Sequence, residues 1–301
     1  MFGAAFSGDF KTVRHVMAET SAELRTLRGS KYVQSVIGDI YAEVKMQLEC
    51  GRGVLFSGTP CQIAGLRLYL RRDYDNLLLV DVICHGAPSS ALWEKYLTHL
   101  EQKMGGKVEY VSFRHKENGW RRFGMKMSFE GEKRYYKTMS EDPFLKMFLR
   151  NYCLRESCYD CKVKQCGSAA DITIGDFWGV ERTQPDIDQS MGVSLVLLHT
   201  EKGRSAFEKI RPNMTTRQTD YDEAISYNSA MTSSVNRPAE RDRFFTDTSR
   251  LDWDKLEKKY TSEKLKIRVR RLLSCSLLGK ARRMLLQRKH LTMEKIPSLT
   301  E

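Results

Sequence analysis

The stretch Gly53-Val54-Leu55-Phe56-Ser57-Gly58, with Thr59-Pro60-Cys61-Gln62 behind it and Leu77-Leu78-Leu79-Val80-Asp81-Val82-Ile83 further on, decides the fold. The first run is short, apolar and bounded by glycines, as a buried strand is. It breaks at Gly58; Thr59 then suits a helix N-cap and Pro60 the first helical position. That helix runs from about Cys61 to Arg71. Leu77 to Ile83 reads as a second buried strand, ending at Cys84-His85-Gly86. Strand, helix and strand make a βαβ unit, which is nearly always right-handed with parallel strands.

Outward from this unit, residues 10–28 and 31–49 read as two amphipathic helices separated by Gly29 and Ser30. In the second, Val33, Val36, Ile37, Ile40, Val44 and Leu48 recur at helical spacing. Ser90 to Lys103 predicts a helix closed by Gly105-Gly106. Residues 107–137 alternate like antiparallel strands around a turn at Glu130-Gly131. Asp142 to Leu154 predicts another helix, Ala170 to Gly175 and Val193 to His199 two short strands, and the chain beyond Thr200 is helical and polar. The expected class is α/β: a mixed sheet built around the βαβ unit with added antiparallel strands, plus a C-terminal helical extension. Residues 1–240 form the main domain, in parts of about 1–75 and 76–240, and 241–301 a basic helical tail.

The 301 residues are 41% hydrophobic, enough to bury a full core. No run approaches the roughly 18 apolar residues of a membrane span. Asp9, Lys11 and Arg14 interrupt the early hydrophobics, so no signal segment opens the chain and a cytoplasmic protein is expected. The net charge is +12, but residues 251–290 hold thirteen Lys or Arg against four acidic residues. The body is close to neutral, which argues against nucleic-acid binding. In the tail, Leu272, Leu273, Leu277, Leu278, Met284, Leu285 and Leu286 interleave with the cations, a composition that suits an acidic partner or an anionic membrane surface.

There are eight cysteines: Cys50, Cys61, Cys84, Cys153, Cys158, Cys161, Cys166 and Cys275. In a reducing compartment a cluster of them is more often metal-binding or catalytic than disulfide-bonded. Cys158 and Cys161 form a C-x2-C pair, whose spacing lets both sulfurs reach one metal or one cluster. Cys61 and Cys84 each lie just past the carboxyl end of a strand of the βαβ unit, the edge where open α/β sheets place their ligands. These two with the later pair make a four-thiolate set, enough for a [4Fe–4S] cluster. Cys153 and Cys166 compete for the same role; Cys50 and Cys275 have no partner at useful spacing. Cys61 also precedes Arg67 at the spacing of a cysteine-phosphatase loop. Ile63 and Leu66 between them look like helix core positions, whereas a phosphate cradle wants small residues with open N–H groups.

The strings Phe56 to Gly65, Cys84-His85-Gly86, Ser112-Phe113-Arg114, Asp171 to Gly179 and Arg28 to Ser35, with the Cys158/Cys161 pair, resemble the coenzyme F420 hydrogenase/dehydrogenase beta-subunit family over roughly residues 1–235. The resemblance implies FAD, a [4Fe–4S] cluster and electron transfer between them. It also implies a partner such as a ferredoxin and a protein or small-molecule acceptor. Many bacterial relatives carry an N-terminal two-cluster ferredoxin segment that this chain lacks, so a separate donor protein or a truncated product is expected.

Nothing in the chain reads as a dinucleotide fingerprint, so a flavin must be held otherwise. Ser57, Gly58, Thr59, Pro60 and Gln62, at a helix N-terminus, suit a pyrophosphate. Gly29, Ser30 and Lys31 add a turn, a hydroxyl and a cation. His85 is a candidate for proton handling, Arg114 and Asn118 for the substrate side, and Asp176 is the one residue of its string to test as catalytic. The reading from a different class is a non-catalytic zinc-stabilised interaction module, or a remnant of such an enzyme.

Overall fold

The computed structural model describes residues 1–166 and 168–262, without the side chains of 165 and 166. Cys166 as a ligand, Cys275, and the docking role expected of the basic segment beyond 262 therefore lie outside the described residues. Met1–Leu256 form one compact unit. Among the described residues no helix is long and apolar enough to cross a membrane.

The strands are β1 (Phe2–Phe6), β2 (Val13–Met17), β3 (Ser35–Val36), β4 (Val54–Gly58), β5 (Leu77–Val82), β6 (Val108–His115), β7 (Gly124–Phe129), β8 (Lys133–Thr138), β9 (Ile172–Asp176) and β10 (Ser194–Leu198). The helices are α1 (Ser21–Leu27), α2 (Ile40–Glu49), α3 (Pro60–Leu70), α4 (Ser90–Met104), α5 (Pro143–Leu149), α6 (Lys162–Cys166), α7 (Val180–Thr183), α8 (Glu201–Ile210), α9 (Tyr221–Ser226), α10 (Arg241–Arg250) and α11 (Trp253–Thr261).

The protein is a mixed α/β fold. A seven-stranded sheet has the order β10-β9-β5-β4-β1-β2-β3, and β6-β7-β8 form a separate antiparallel sheet. The expected βαβ unit is β4-α3-β5, with β4 and β5 adjacent and parallel from Val54↔Leu77 to Gly58↔Asp81. Val54, Phe56, Leu77 and Leu79 turn one face of it toward Ile40, Val44 and Leu48 of α2 and Ile63 and Leu66 of α3. Each such side chain contributes on the order of 2 kcal/mol by leaving water. Thr59 caps α3 and Pro60 opens it, as the sequence predicts.

A second core joins α4, the small sheet and α5. Trp93 lies 4.8 Å from Phe113 and 5.2 Å from Phe144, centroid to centroid. It is tied to the large sheet where β1 ends: Phe6 stacks on Phe113, and Trp93 Nε1 donates to Phe10 O at 2.8 Å.

Four expectations are corrected. Residues 10–28 are not one helix. Val13-Arg14-His15-Val16-Met17 alternate in burial and pair antiparallel with β1, so only Ser21–Leu27 is helical. The apolar spacing fits both periods, and pairing with β1 decides between them. Residues 31–49 are helical only from Ile40, because Gly38 takes φ +53°. The helix expected over 142–154 stops at Leu149, with Asn151 at φ +63°. Finally, a strand entered directly from a C-x2-C pair at the βαβ edge has its amino end there and runs antiparallel to β5; β9 runs parallel instead, from Val80↔Ile172 to Val82↔Ile174. The residues between Cys161 and Ile172 include α6, which packs on α3 and lets the chain return to the far edge before β9 starts.

Candidate functional site

β1, β4, β5 and β9 all run parallel, so their carboxyl ends meet along one edge. That edge carries Cys61 at the start of α3, Cys84 after β5, and Asp176 at the end of β9. The C-x2-C pair arrives there by backbone pairing. Pro88 bridges Leu154, Arg155 N–H donates to Ala87 O at 3.0 Å, and Ser89 N–H to Cys153 O at 2.8 Å. A single helical turn, Glu156–Cys158, follows. Ala87 N–H then donates to Cys158 Sγ at 3.4 Å. Gly86 permits the approach: a Cβ there would stand 2.8 Å from Leu154 Cδ1 and 3.5 Å from Cys158 Cβ.

Cys61, Cys158 and Cys161 lie within electrostatic reach of Cys84. Burial pushes the Cys84 thiol up to about 12, and the neighbouring Cys61, Cys158 and Cys161 add to it against the Lys164 cation. Burial also raises Cys158, opposed by the Ala87 N–H and reinforced by Cys61 and Cys161. Lys164 is lowered by burial and raised by Cys84, Cys161 and Cys158, so its amine sits beside three of the four sulfurs. Cys153 is separated from them in the core, fully buried, its thiol pushed up to about 12. Cys50 is exposed. Among the described residues no three His, Cys, Asp or Glu side chains close on a single metal ion; a cubane cluster holds its thiolates farther apart than one ion does.

His85 is adjacent in sequence. Its Nε2 lies 2.7 Å from Asn151 Oδ1, while Asn151 Nδ2 donates to Asn236 O at 3.4 Å. An amide oxygen only accepts, so the neutral ring carries its proton on Nε2 and keeps Nδ1 as a base. Burial lowers the His85 pKa below the ordinary value.

Arg114, at the end of β6, crosses from the small sheet and pairs Nη1 with Asp176 Oδ2 at 2.5 Å. Its guanidinium lies over the Phe123 ring, and its Nε and Nη2 are buried without a partner. Tyr32 senses Arg114, Asp176 and Cys84, is raised chiefly by burial, and stacks on Phe148 at 4.6 Å. Tyr32 and Lys164 were not singled out from the sequence. Tyr32 stood in the Arg28 to Ser35 string, which could have flagged it; nothing local marks Lys164.

Lys31 Nζ donates to Leu27, Arg28 and Gly29 carbonyl oxygens at 3.2, 3.1 and 3.3 Å, and burial lowers its amine to about 8. Ser30 stands beside the Tyr32 phenol. The α3 turn is largely engaged with itself. Thr59 N–H donates to Gln62 Oε1 at 2.9 Å, Gln62 N–H turns to Thr59 O, and Pro60 has no N–H. Ser57 Oγ donates to Phe2 O, and Gly58 packs against the Gln62 side chain. Asn118 donates to the Tyr136 hydroxyl at 3.0 Å and is not drawn into the cysteine group.

The register also sorts the sheet's second face. Leu55, Leu78, Val80, Val82, Ile174 and Val196 share the face opposite α2 and α3, and Val82 and Ile174 are exposed.

Over residues 51–223 the chain matches the family profile described as the C terminus of the coenzyme F420 hydrogenase/dehydrogenase beta subunit. The comparison with curated proteins returns no match. Among solved structures, a chain of the xenon-derivatized F420-reducing [NiFe] hydrogenase complex from Methanosarcina barkeri is similar at 16% identity, with 79% of this chain and 82% of that chain covered and a TM-score of 0.46. The profile spans more than half of the chain and includes all four clustered cysteines, so the protein belongs to the coenzyme F420 hydrogenase/dehydrogenase beta-subunit family.

Proposed function

We propose that this protein is a cytoplasmic iron–sulfur flavoprotein that moves electrons between a partner protein such as a ferredoxin and a protein or small-molecule acceptor. The observation that carries the reading is the convergence of Cys61, Cys84, Cys158 and Cys161, from two distant segments, on one sheet edge. Four thiols, an N–H aimed at one sulfur and a neighbouring lysine fit a [4Fe–4S] cluster.

The surroundings also fit FAD. Val80, Val82 and Ile174 offer an apolar floor for a ring system. Lys31, desolvated and bound only to neutral carbonyls, suits a phosphate group. The partnerless Nε and Nη2 of Arg114 suit a carbonyl or anionic oxygen. Gly29 and Ser30 flank Lys31; the engaged turn of Thr59, Pro60 and Gln62 contributes its shape rather than its donors. When bound, the cluster supplies single-electron transfer and the flavin collects two electrons for hydride transfer. The protein's own groups hold and orient. Asp176 fixes Arg114, Tyr32 lies within electrostatic reach of Arg114 and Cys84, and His85 keeps Nδ1 to accept a proton.

Anaerobic purification tests the reading. The expected product is brown, with flavin bands and about four iron and four sulfide per chain. A colourless protein with zinc bound would instead support the zinc-stabilised module.

A further inference from the structure

We propose that residues 228–241, beyond the end of the family match at 223, form a retaining strap over the C-x2-C loop, with Arg241 as the positioning residue for Cys158. The inference rests on the proposed ligand set.

The strap starts at the end of β9 and then touches the loop and its flanks at successive points. Asn228 Nδ2 donates to Asp176 O at 2.8 Å. Ser234 Oγ accepts the N–H of Cys161 at 2.8 Å, and Ser233 O accepts Lys164 Nζ at 3.1 Å. Asn236 O receives Asn151, the residue that fixes His85. Arg237 Nε donates to Glu156 Oε1 at 2.8 Å.

Arg241 engages the loop most fully. Nη2 donates to Leu154 O at 3.0 Å and Nη1 pairs with Glu156 Oε2 at 2.7 Å, so one guanidinium grips both flanks of the bend that delivers Cys158. The guanidinium lies between the rings of Tyr159 and Phe245, and its side chain is only 14% exposed. A planar fork held between rings fixes direction as well as charge, which a lysine does not. Surface pairs contribute little, and Glu156 is exposed, but the Arg241 guanidinium itself is largely withdrawn from water and also held by a backbone carbonyl.

The test uses the full chain in metal-free form, with timed iodoacetamide labelling read cysteine by cysteine by peptide mass spectrometry. R241Q is expected to speed labelling of Cys158 by about tenfold, the scale of one lost charge-assisted hydrogen bond, with R241K intermediate and Cys50 unchanged. S234A is expected to speed Cys161 selectively. Iron content after reconstitution is expected to fall in the same order. Wild-type labelling rates at Cys158 in R241Q would overturn the proposal. If R241Q unfolds, buried Cys153 reacts as well, and S234A decides: faster Cys161 supports the strap, an unchanged rate rejects it. If wild-type protein takes up no iron while Cys158 still responds to R241Q, the strap stands and the iron–sulfur reading falls.

Discussion

Cys84, half-buried, and Cys153, fully buried, are both thiols pushed up to about 12 by desolvation, yet they have opposite prospects. Cys84 faces three other thiols and a lysine, so a metal can replace its proton; Cys153 faces only core. Cys84→Ser is expected to lose most of the bound iron, and Cys153→Ala to keep it, measured by iron and sulfide analysis after anaerobic reconstitution. Arg114 supplies a second comparison. Arg114→Lys keeps a charge near Asp176 but gives up the two partnerless nitrogens. It is expected to retain iron while releasing flavin on gel filtration. At this scale the sequence made the Cys158/Cys161 pair legible through its spacing, and Cys61 and Cys84 through their places after strands. It favoured the pair over Cys153 on spacing alone, and what removes Cys153 to the core is how Leu154 bridges Pro88, which no local pattern carries. Arg241 was invisible for the same reason: its partners Leu154 and Glu156 lie more than eighty residues away in the chain.

Among elements, those with strong local punctuation were readable. α3 begins with Thr59-Pro60, and α4 ends where Gly105 takes φ +65°. The three strands of the small sheet follow their alternation. β2 and β9 were misjudged because their placement depends on neighbours: β2 needs β1 beside it, and the direction of β9 depends on the excursion through α6. The string opening at Asp171 illustrates the difference between a motif and a site. Asp171 is buried, accepts Leu79 N–H at 2.8 Å and Thr200 Oγ1 at 2.7 Å, and so pins α8 to the sheet. Asp171→Ala is expected to lower stability by about 2–4 kcal/mol, leaving buried donors unpaired, with the iron content of the folded fraction unchanged. Gly203 holds the same junction from the other side, since a Cβ there would stand 2.3 Å from Asp171 O. Gly203→Ala is expected to cost about 1–3 kcal/mol by overpacking, read as a lowered melting temperature.

For the whole molecule, acid stability depends on buried neutral histidine. His15 is held between Ser35 Oγ at 2.7 Å and Ser57 O at 3.0 Å and stacks on Phe56; burial lowers its pKa from 6.5, against the Ser57 carbonyl. Below pH 6.5 the unfolded chain binds a proton that folded His15 refuses, so its contribution is complete above 6.5 and is lost as pH falls toward the folded value. Burial raises Asp81 and Asp142, which act in the opposite direction in acid, so the informative quantity is a difference. His15→Gln is expected to flatten the fall in stability below pH 6.5 by up to about 1.4 kcal/mol per pH unit, followed by urea unfolding.

The pairing of Ala87 and Pro88 with Leu154 and Arg155 has a topological consequence. The chain that leaves the sheet at Cys84 and returns at Cys158 contains α4, the whole small sheet and α5 between two candidate ligands. A metal centre joining those ends would act as a clasp on a closed loop, restricting the unfolded chain much as a cross-link does. Stripping iron is therefore expected to speed hydrogen exchange in β6, β7 and β8, strands that contribute no cysteine to the site, while the α2 and α3 core changes least.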